Sequence, residues 1–374
     1  MKKILYLMEY PIDLPGGAQL STEYICRSLL EDGESGYEPV VACPELLKKK
    51  ASDYPFRILA YPMGESRLKN LLLRIGAFKR IIKEEAPDLI HIEMSESLIT
   101  YGFIRGLFPH IPYIYTDRGM YYGYRKRSQF FMFPVLKKGK MLITTTERNR
   151  ALWEKNTDIR PLMVIPNTIG GMFESYEEKK KKRGGAFTIG FAGRICVEKD
   201  WPFVPVLVEG LKAAGLSFKV HLVLSLFEKG DRAEADGLKI KLREILPEDG
   251  LIYEEDLSQE EMSRYYYGLD LFIMTSSFES FGKAAVEAMS RKCAVLATNV
   301  GGLPEVIGKD ENIYSKDNLE KAVAYVKGVY ENEELLKSEQ EYFFKRYREN
   351  YTMEAYHRAH LRLYDAILGK DTEH

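Results

Sequence analysis

Two carboxylates and a lysine stand close together in the stretch TSSFESFGKAAVEAM, residues 275–289. Glu279 and Glu287 are eight residues apart, with Gly282 and Lys283 between them. An apolar run, LDLFIM (269–274), precedes the stretch and reads as a buried strand. After Gly282 the small and apolar residues Ala284, Ala285, Val286, Ala288 and Met289 follow a helical pattern. The order is therefore strand, tight loop, helix N-terminus. The first amides of a helix have no partner inside it, and its dipole adds positive potential there, so the loop mouth suits a phosphate. Lys283 opposes that dipole, which makes sense if a diphosphate lies in front of it. Carboxylates beside a diphosphate would repel it, so Glu279 and Glu287 suit the hydroxyls of a sugar or ribose. A second cationic element lies upstream in FTIGFAGRICVEKDW, where Arg194 and Lys199 are five residues apart across a strand-to-helix loop. That arrangement is a poor packing device, but two fixed cations stabilise a developing negative charge well.

Further candidates lie in the first half. KILYLM (3–8) reads as a strand and is followed by a Pro- and Gly-rich loop and a helix that Gln19 opens. Gly16 and Gly17 permit close approach of backbone to a ligand. The spacing G-x-G-x-x-G is absent, which argues against a nicotinamide dinucleotide. DLIHIE (88–93) and IPYIYT (111–116) read as strands, and Asp117 and Arg118 end the second of them. Crevices outside the carboxyl ends of parallel strands are where open α/β sheets bind ligands. A loop salt bridge is the alternative reading for Asp117 and Arg118, and a packing role is the alternative for His91.

The 275–289 stretch resembles the E-x(7)-E signature of retaining glycosyltransferases of family 4, whose fold is GT-B. SRKCAVLATNVGGLPEVI continues the resemblance, as do Gly193-Arg194 with Lys199 and the turn Pro166-Asn167. Lys292 stands where the family usually has Gly, Ala294 where it has Pro and Thr168 where it has Gly. The loop 225–230 replaces the family's Gly-Asp-Gly, which puts base and ribose contacts there in question. The resemblance implies transfer of a sugar from a nucleotide-diphosphate donor, most often UDP-linked, with retention of configuration and with no cofactor or metal. It implies donor contacts from Gly17, Arg194, Lys199, Ser280, Phe281, Gly282, Lys283 and Glu287. Glu279 and Asp117 would be catalytic, with Gln19, His91 and Arg118 on the acceptor side. The rival readings are an epimerase or phosphorylase of the same fold, and a non-catalytic partner subunit.

The elements that must position these residues alternate strand and helix in both halves of the 374 residues. The expectation is two doubly wound Rossmann-like domains facing a central cleft. The first covers 1–173 and is joined by a C-terminal helix, 352–374, that packs back on it; the second covers 174–351. The charged, Gly-rich segment 176–186 reads as an exposed interdomain linker. A formal net charge of −1 gives no nucleic-acid signal. The four scattered cysteines lack metal or disulfide spacing and suit a reduced cytoplasmic protein. No run is apolar enough to span a bilayer. Helix 67–83 pairs an apolar stripe, Leu68, Leu71, Leu72, Ile75, Phe78, Ile81 and Ile82, with Arg67, Lys69, Arg74, Lys79, Arg80 and Lys83. Residues 125–140 mix six basic residues with Phe130, Phe131 and Phe133. Both suggest peripheral contact with an anionic membrane surface, bringing the site to a saccharide or lipid-linked acceptor.

Overall fold

The structure is a computed structural model and describes residues 1–14, 16–181 and 184–369. The chain divides into two compact units, Met1–Thr168 with Met353–His374, and Ile169–Thr352.

In the first unit the strands are β1 (Lys2–Leu7), β2 (Tyr37–Pro44), β3 (Arg57–Tyr61), β4 (Leu89–Glu93), β5 (Tyr113–Asp117), β6 (Met141–Thr144) and β7 (Leu162–Val164). The intervening helices are α1 (Gly17–Glu31), α2 (Arg67–Glu85), α3 (Ser95–Ile104), α4 (Lys126–Leu136) and α5 (Glu147–Asn156). The sheet is parallel, in the order β3-β2-β1-β4-β5-β6-β7. Helices cover both faces, so the central strands are buried on both sides and read as continuous apolar runs.

The second unit repeats the plan. Its elements are β8 (Phe187–Arg194), α6 (Phe203–Ala213), β9 (Phe218–Ser225), α7 (Asp231–Ile245), β10 (Leu251–Glu255), α8 (Gln259–Tyr267), β11 (Leu271–Met274), α9 (Lys283–Ser290), β12 (Ala294–Thr298), α10 (Leu303–Ile307), β13 (Ile313–Tyr314), α11 (Leu319–Glu331) and α12 (Glu333–Asn350). The parallel sheet runs β10-β9-β8-β11-β12-β13. In each sheet the strand order reverses once, at β1/β4 and at β8/β11. Such switch points open a crevice at the carboxyl ends of the strands, and ligands of doubly wound folds bind there.

The C-terminal helix α13 (Met353–Leu368) belongs to the first unit. The hydroxyls of Tyr6 and Tyr364 are 2.7 Å apart, and the His357 ring lies 2.9 Å from Asp32. Residues 370–374 of the expected helix lie outside the described residues.

The chain passes to the second unit at Thr168, ahead of the expected 173/174 boundary. Ile169 and Phe173 are already buried in that unit's core, and buried Arg291 donates to the Phe173 carbonyl at 3.0 Å. Segment 176–186 is accordingly not an interdomain linker. Its Tyr176 ring packs on Tyr267 and Phe344, and Lys181 is buried, donating to the Leu269 carbonyl at 2.6 Å. Lys182 and Arg183 of that segment lie outside the described residues. Among the described residues no helix is long and apolar enough to cross a membrane.

Helix α2 keeps the C-terminal part of the expected stripe and departs from it at the N-terminal end. Phe78, Ile81 and Ile82 are buried, and so is Arg74, whose guanidinium reaches Glu96 at 3.3 Å. Leu68 and Leu72 are exposed. At ~100° per residue, Arg74 lies about one turn before Phe78 and so faces inward, whereas Leu72 is about 120° off that face.

Candidate functional site

The cationic residues and the carboxylates meet at the β8/β11 switch point. Arg194 is the last residue of β8, and its guanidinium lies 5.9 Å from the centroid of the half-exposed Phe227 ring. Among the described residues no carboxylate forms an ion pair with Arg194. The chain then makes a short turn to Lys199. A Cβ on Gly193 would come within 3.3 Å of Lys199 Cε and 3.5 Å of Trp201, so glycine leaves the lysine stem its path.

The loop after β11 is stitched to that turn. Thr275 Oγ1 donates to the Lys199 carbonyl at 3.0 Å, and the Ser277 amide to the Glu198 carbonyl at 2.8 Å. Lys199 Nζ in turn donates to Glu279 Oε2 at 2.8 Å. The carboxylate that was expected to meet a sugar and the ammonium that was expected to meet a phosphate are thus paired with each other.

Two further hydrogen bonds hold Glu279, and a third holds its partner Ser276. Ser276 Oγ lies 3.4 Å from Oε2, and Thr298 Oγ1 donates to the Ser276 carbonyl at 2.7 Å. The Gly302 amide donates to the Glu279 carbonyl at 3.0 Å, and a Cβ on Gly301, at φ +52°, would overlap that carbonyl. The pair Gly301 and Gly302 is therefore a close backbone approach that fixes Glu279.

Helix α9 follows from Gly282, whose φ of +100° turns the chain into its first helical residue, Lys283. Ser280 is partly exposed beside this turn. Phe281 points away: it is buried in the core, edge-on to Tyr351 at 5.6 Å, so its side chain is not open to a donor. Glu287 accepts from the Tyr266 hydroxyl at 3.0 Å. Burial pushes its carboxyl above the ordinary range, while that hydroxyl and the Lys283 and Lys199 charges pull it back.

The first-unit candidates divide differently. Gly17 is exposed at the first position of α1, in the first unit, whereas the other expected donor residues belong to the second. Gln19 is buried, its amide lying against Gly16, where a Cβ would collide with it.

Asp117, Arg118 and His91 are corrected. Both Asp117 oxygens are enclosed: Oδ1 accepts from the Gly119 amide at 2.9 Å and from the Tyr124 hydroxyl, and Oδ2 from Asn149 Nδ2 at 2.9 Å and Trp153 Nε1 at 2.7 Å. A fully buried carboxylate with four donors ties the β5 loop to α5 and has no face for a sugar. Arg118 makes a two-pronged pair with buried Glu93 at 2.7 and 2.8 Å and reaches Asn167 and Tyr356, which holds its pKa above the usual arginine value against the cost of burial. His91 lies within β4, with no exposed surface, between Tyr364 at 2.9 Å and Thr116 at 2.7 Å. Burial, then the Arg118 charge, lowers its pKa and keeps it neutral. His91 and Arg118 thus belong to the buried polar network that binds β4 and β5 to α13, and Asp117 to the contacts that bind β5 to α5.

At the β1/β4 switch point the structure supplies Glu9, which reads in the sequence only as a break in an apolar run. Its Oε2 accepts the α3 amides of Glu96 at 2.6 Å and Ser97 at 3.2 Å. Beside it Met94 holds φ +72°, ψ 157°, a backbone region that side chains rarely enter. Burial and the neighbouring Glu96 charge push the Glu9 carboxyl up to about 7. A carboxyl raised on folding contributes stability below its unfolded pKa, and that stability is lost as pH rises through the folded value. Glu9→Gln is therefore expected to leave the melting temperature nearly unchanged at about pH 4 and to stabilise the protein at about pH 8, by up to about 3 kcal/mol. Thermal melts of both proteins across that range check it; parallel curves would refute it.

The sequence model described as Glycosyltransferase Family 4 matches residues 15–169, and that of Glycosyl transferases group 1 matches residues 172–346. The chain belongs to the family 4 glycosyltransferases. The 2-deoxystreptamine glucosyltransferase of Streptomyces kanamyceticus is 29% identical over 186 residues, 47% of this chain and 46% of that protein. The putative teichuronic acid biosynthesis glycosyltransferase TuaC of Bacillus subtilis is 23% identical over 264 residues, 68% of this chain and 64% of that protein. The chain thus spans about half the length of the first curated relatives it matches. The crystal structure of Anabaena HepE in complex with UDP superposes with a TM-score of 0.79 at 14% identity, over 98% of this chain and all of that one. The fold is GT-B. Lys292, in the family's glycine position, sits at φ +50°, the left-handed conformation that glycine adopts without strain. Its ammonium pairs with Glu341 and Glu178.

Proposed function

We propose that this chain transfers a hexose from a UDP-linked donor to a hydroxyl of a saccharide or lipid-linked acceptor, with retention of configuration, in the assembly of a surface polysaccharide or glycolipid. The observation that carries this reading is the convergence of Arg194, Lys199, the α9 N-terminus and Glu279 on one switch point. A relative named as a putative teichuronic acid biosynthesis glycosyltransferase and a neighbour solved in complex with UDP support the pathway and the donor. The diphosphate meets Arg194, Lys199 and the first turn of α9, which take the role that a metal cation plays elsewhere. Glu279 holds hydroxyls of the sugar, and Glu287 those of the ribose. The acceptor oxygen bonds to the anomeric carbon on the face that the diphosphate leaves. The diphosphate departs with the electron pair of the broken C–O bond, and its oxygen takes the acceptor's proton.

Melting temperatures with UDP, GDP, ADP and their sugars test the donor, since a ligand that binds only the folded state raises them. UDP and a UDP-sugar are expected to give the largest shifts. With the sugar so found, NMR of the glycoside product is expected to show the donor's anomeric configuration, formed equally well in EDTA. A shift with GDP or ADP alone, or an inverted product, overturns the reading.

A further inference from the structure

An aromatic cluster stands in water on the first unit. Phe130 is 74% exposed, Phe103 56% and Phe131 39%. The rings of Phe130 and Phe131 are 5.3 Å apart and those of Phe103 and Phe131 6.4 Å, so α3 and α4 together present one contiguous apolar patch. Single exposed apolar residues are ordinary, but a cluster of three phenylalanine rings marks a surface that something covers.

The charges around the patch indicate what covers it. Arg125, Lys126 and Arg127 are all exposed at the start of α4, which carries no acidic residue in its first turn. Three cations there oppose the helix dipole, so the arrangement weakens the isolated helix and favours an anionic neighbour. Arg127 precedes Phe130 and Phe131 by three and four residues and so shares their face. Rings flanked by long-stemmed cations match a lipid surface, where rings enter the acyl boundary and cations stay among the phosphates. A second copy of this chain meeting the patch about a two-fold axis would bring Arg125–Arg127 against their own copies, like charge on like. The basic face of α2 that the sequence suggested is a poorer candidate, because Arg74 is buried against Glu96.

We infer that this patch of α3 and α4 docks on an anionic lipid bilayer, Phe103, Phe130 and Phe131 inserting between headgroups and Arg125, Lys126 and Arg127 pairing with lipid phosphates. The inference stands whether or not the sugar-transfer reading does.

Sedimentation of the full chain with vesicles tests it. The chain is expected to pellet with vesicles of phosphatidylcholine mixed with phosphatidylglycerol, not with phosphatidylcholine alone, and added salt is expected to release it. The double variant Phe130→Ser, Phe131→Ser and the triple variant Arg125→Ser, Lys126→Ser, Arg127→Ser should each lower the bound-to-free ratio about tenfold or more. Lys79→Ser with Lys83→Ser, on α2, should not change it. All these positions are exposed, so melting temperatures should match the parent. Equal binding to neutral vesicles, or pelleting that survives both patch variants, overturns the inference. So does self-association that only the phenylalanine variants abolish, without vesicle binding, which would assign the rings to a second copy.

Discussion

Replacing Asp117 with asparagine is expected to destabilise the first unit by about 2–4 kcal/mol while leaving nucleotide binding in place. The carboxylate lies wholly inside the protein, and four donors from β5's loop and α5 converge on it. Asparagine keeps the shape but turns one acceptor into a donor, which then faces either Trp153 Nε1 and Asn149 Nδ2, or the Gly119 amide and the Tyr124 hydroxyl. Each orientation leaves buried donors unmatched, and unmatched buried groups lose their full desolvation cost. Urea unfolding followed by tryptophan fluorescence reports this well, because the chain has two tryptophans and Trp153 itself touches Asp117. The Trp153 transition should move to lower urea, while the UDP-induced thermal shift persists. Tyr124→Phe removes one hydroxyl and should cost less. If Asp117→Asn unfolds like the parent yet loses turnover, the residue acts on the substrate after all.

That outcome bears on what a sequence can reveal. Both sheets, their parallel sense and the placing of Arg194, Lys199 and Glu279 at one loop cluster follow from alternating apolar runs and turn residues, which are local signals. A polar residue at a strand end is ambiguous in the same signals. His91, Asp117 and Arg118 have the residue types of a site, but their partners Tyr364, Trp153, Asn149 and Glu93 come from distant segments. Only the tertiary fold shows that every polar atom of Asp117 is already engaged. Glu9 fails in the opposite direction. It reads as a break in the first strand, and its meeting with the α3 amides depends on β1 lying beside β4. The start of α2 is illegible in the sequence for a simpler reason. Leucines spaced for a helix define a stripe only if the inward direction is known, and Arg74 against Glu96 sets it instead.

The Lys199–Glu279 pair yields the sharpest expectation about the donor, because its two halves should respond with opposite signs. The ammonium is 2.8 Å from Glu279 Oε2, both side chains about four-fifths buried. A diphosphate arriving at Lys199 must share that ammonium, and the carboxylate beside it repels the incoming charge. Lys199→Ala should therefore weaken UDP binding by about 1.5–3 kcal/mol, through the loss of a charge-assisted contact. Arg194→Ala should cost a similar amount, and that loss should shrink more with added salt because the side chain is exposed. Glu279→Gln removes the repulsion and should tighten UDP, about three- to tenfold, by the same electrostatics at a partly shielded site. The same variant should slow sugar transfer at least tenfold, about 1.4 kcal/mol in the barrier, because an amide is a weaker acceptor for sugar hydroxyls. Calorimetric titration with UDP and with the UDP-sugar separates the two effects. Tighter UDP with slower transfer places Glu279 on the sugar and Lys199 on the phosphate. If Glu279→Gln weakens UDP as much as Lys199→Ala does, the carboxylate serves only to hold the lysine, and the sugar-binding role passes to another residue of the loop.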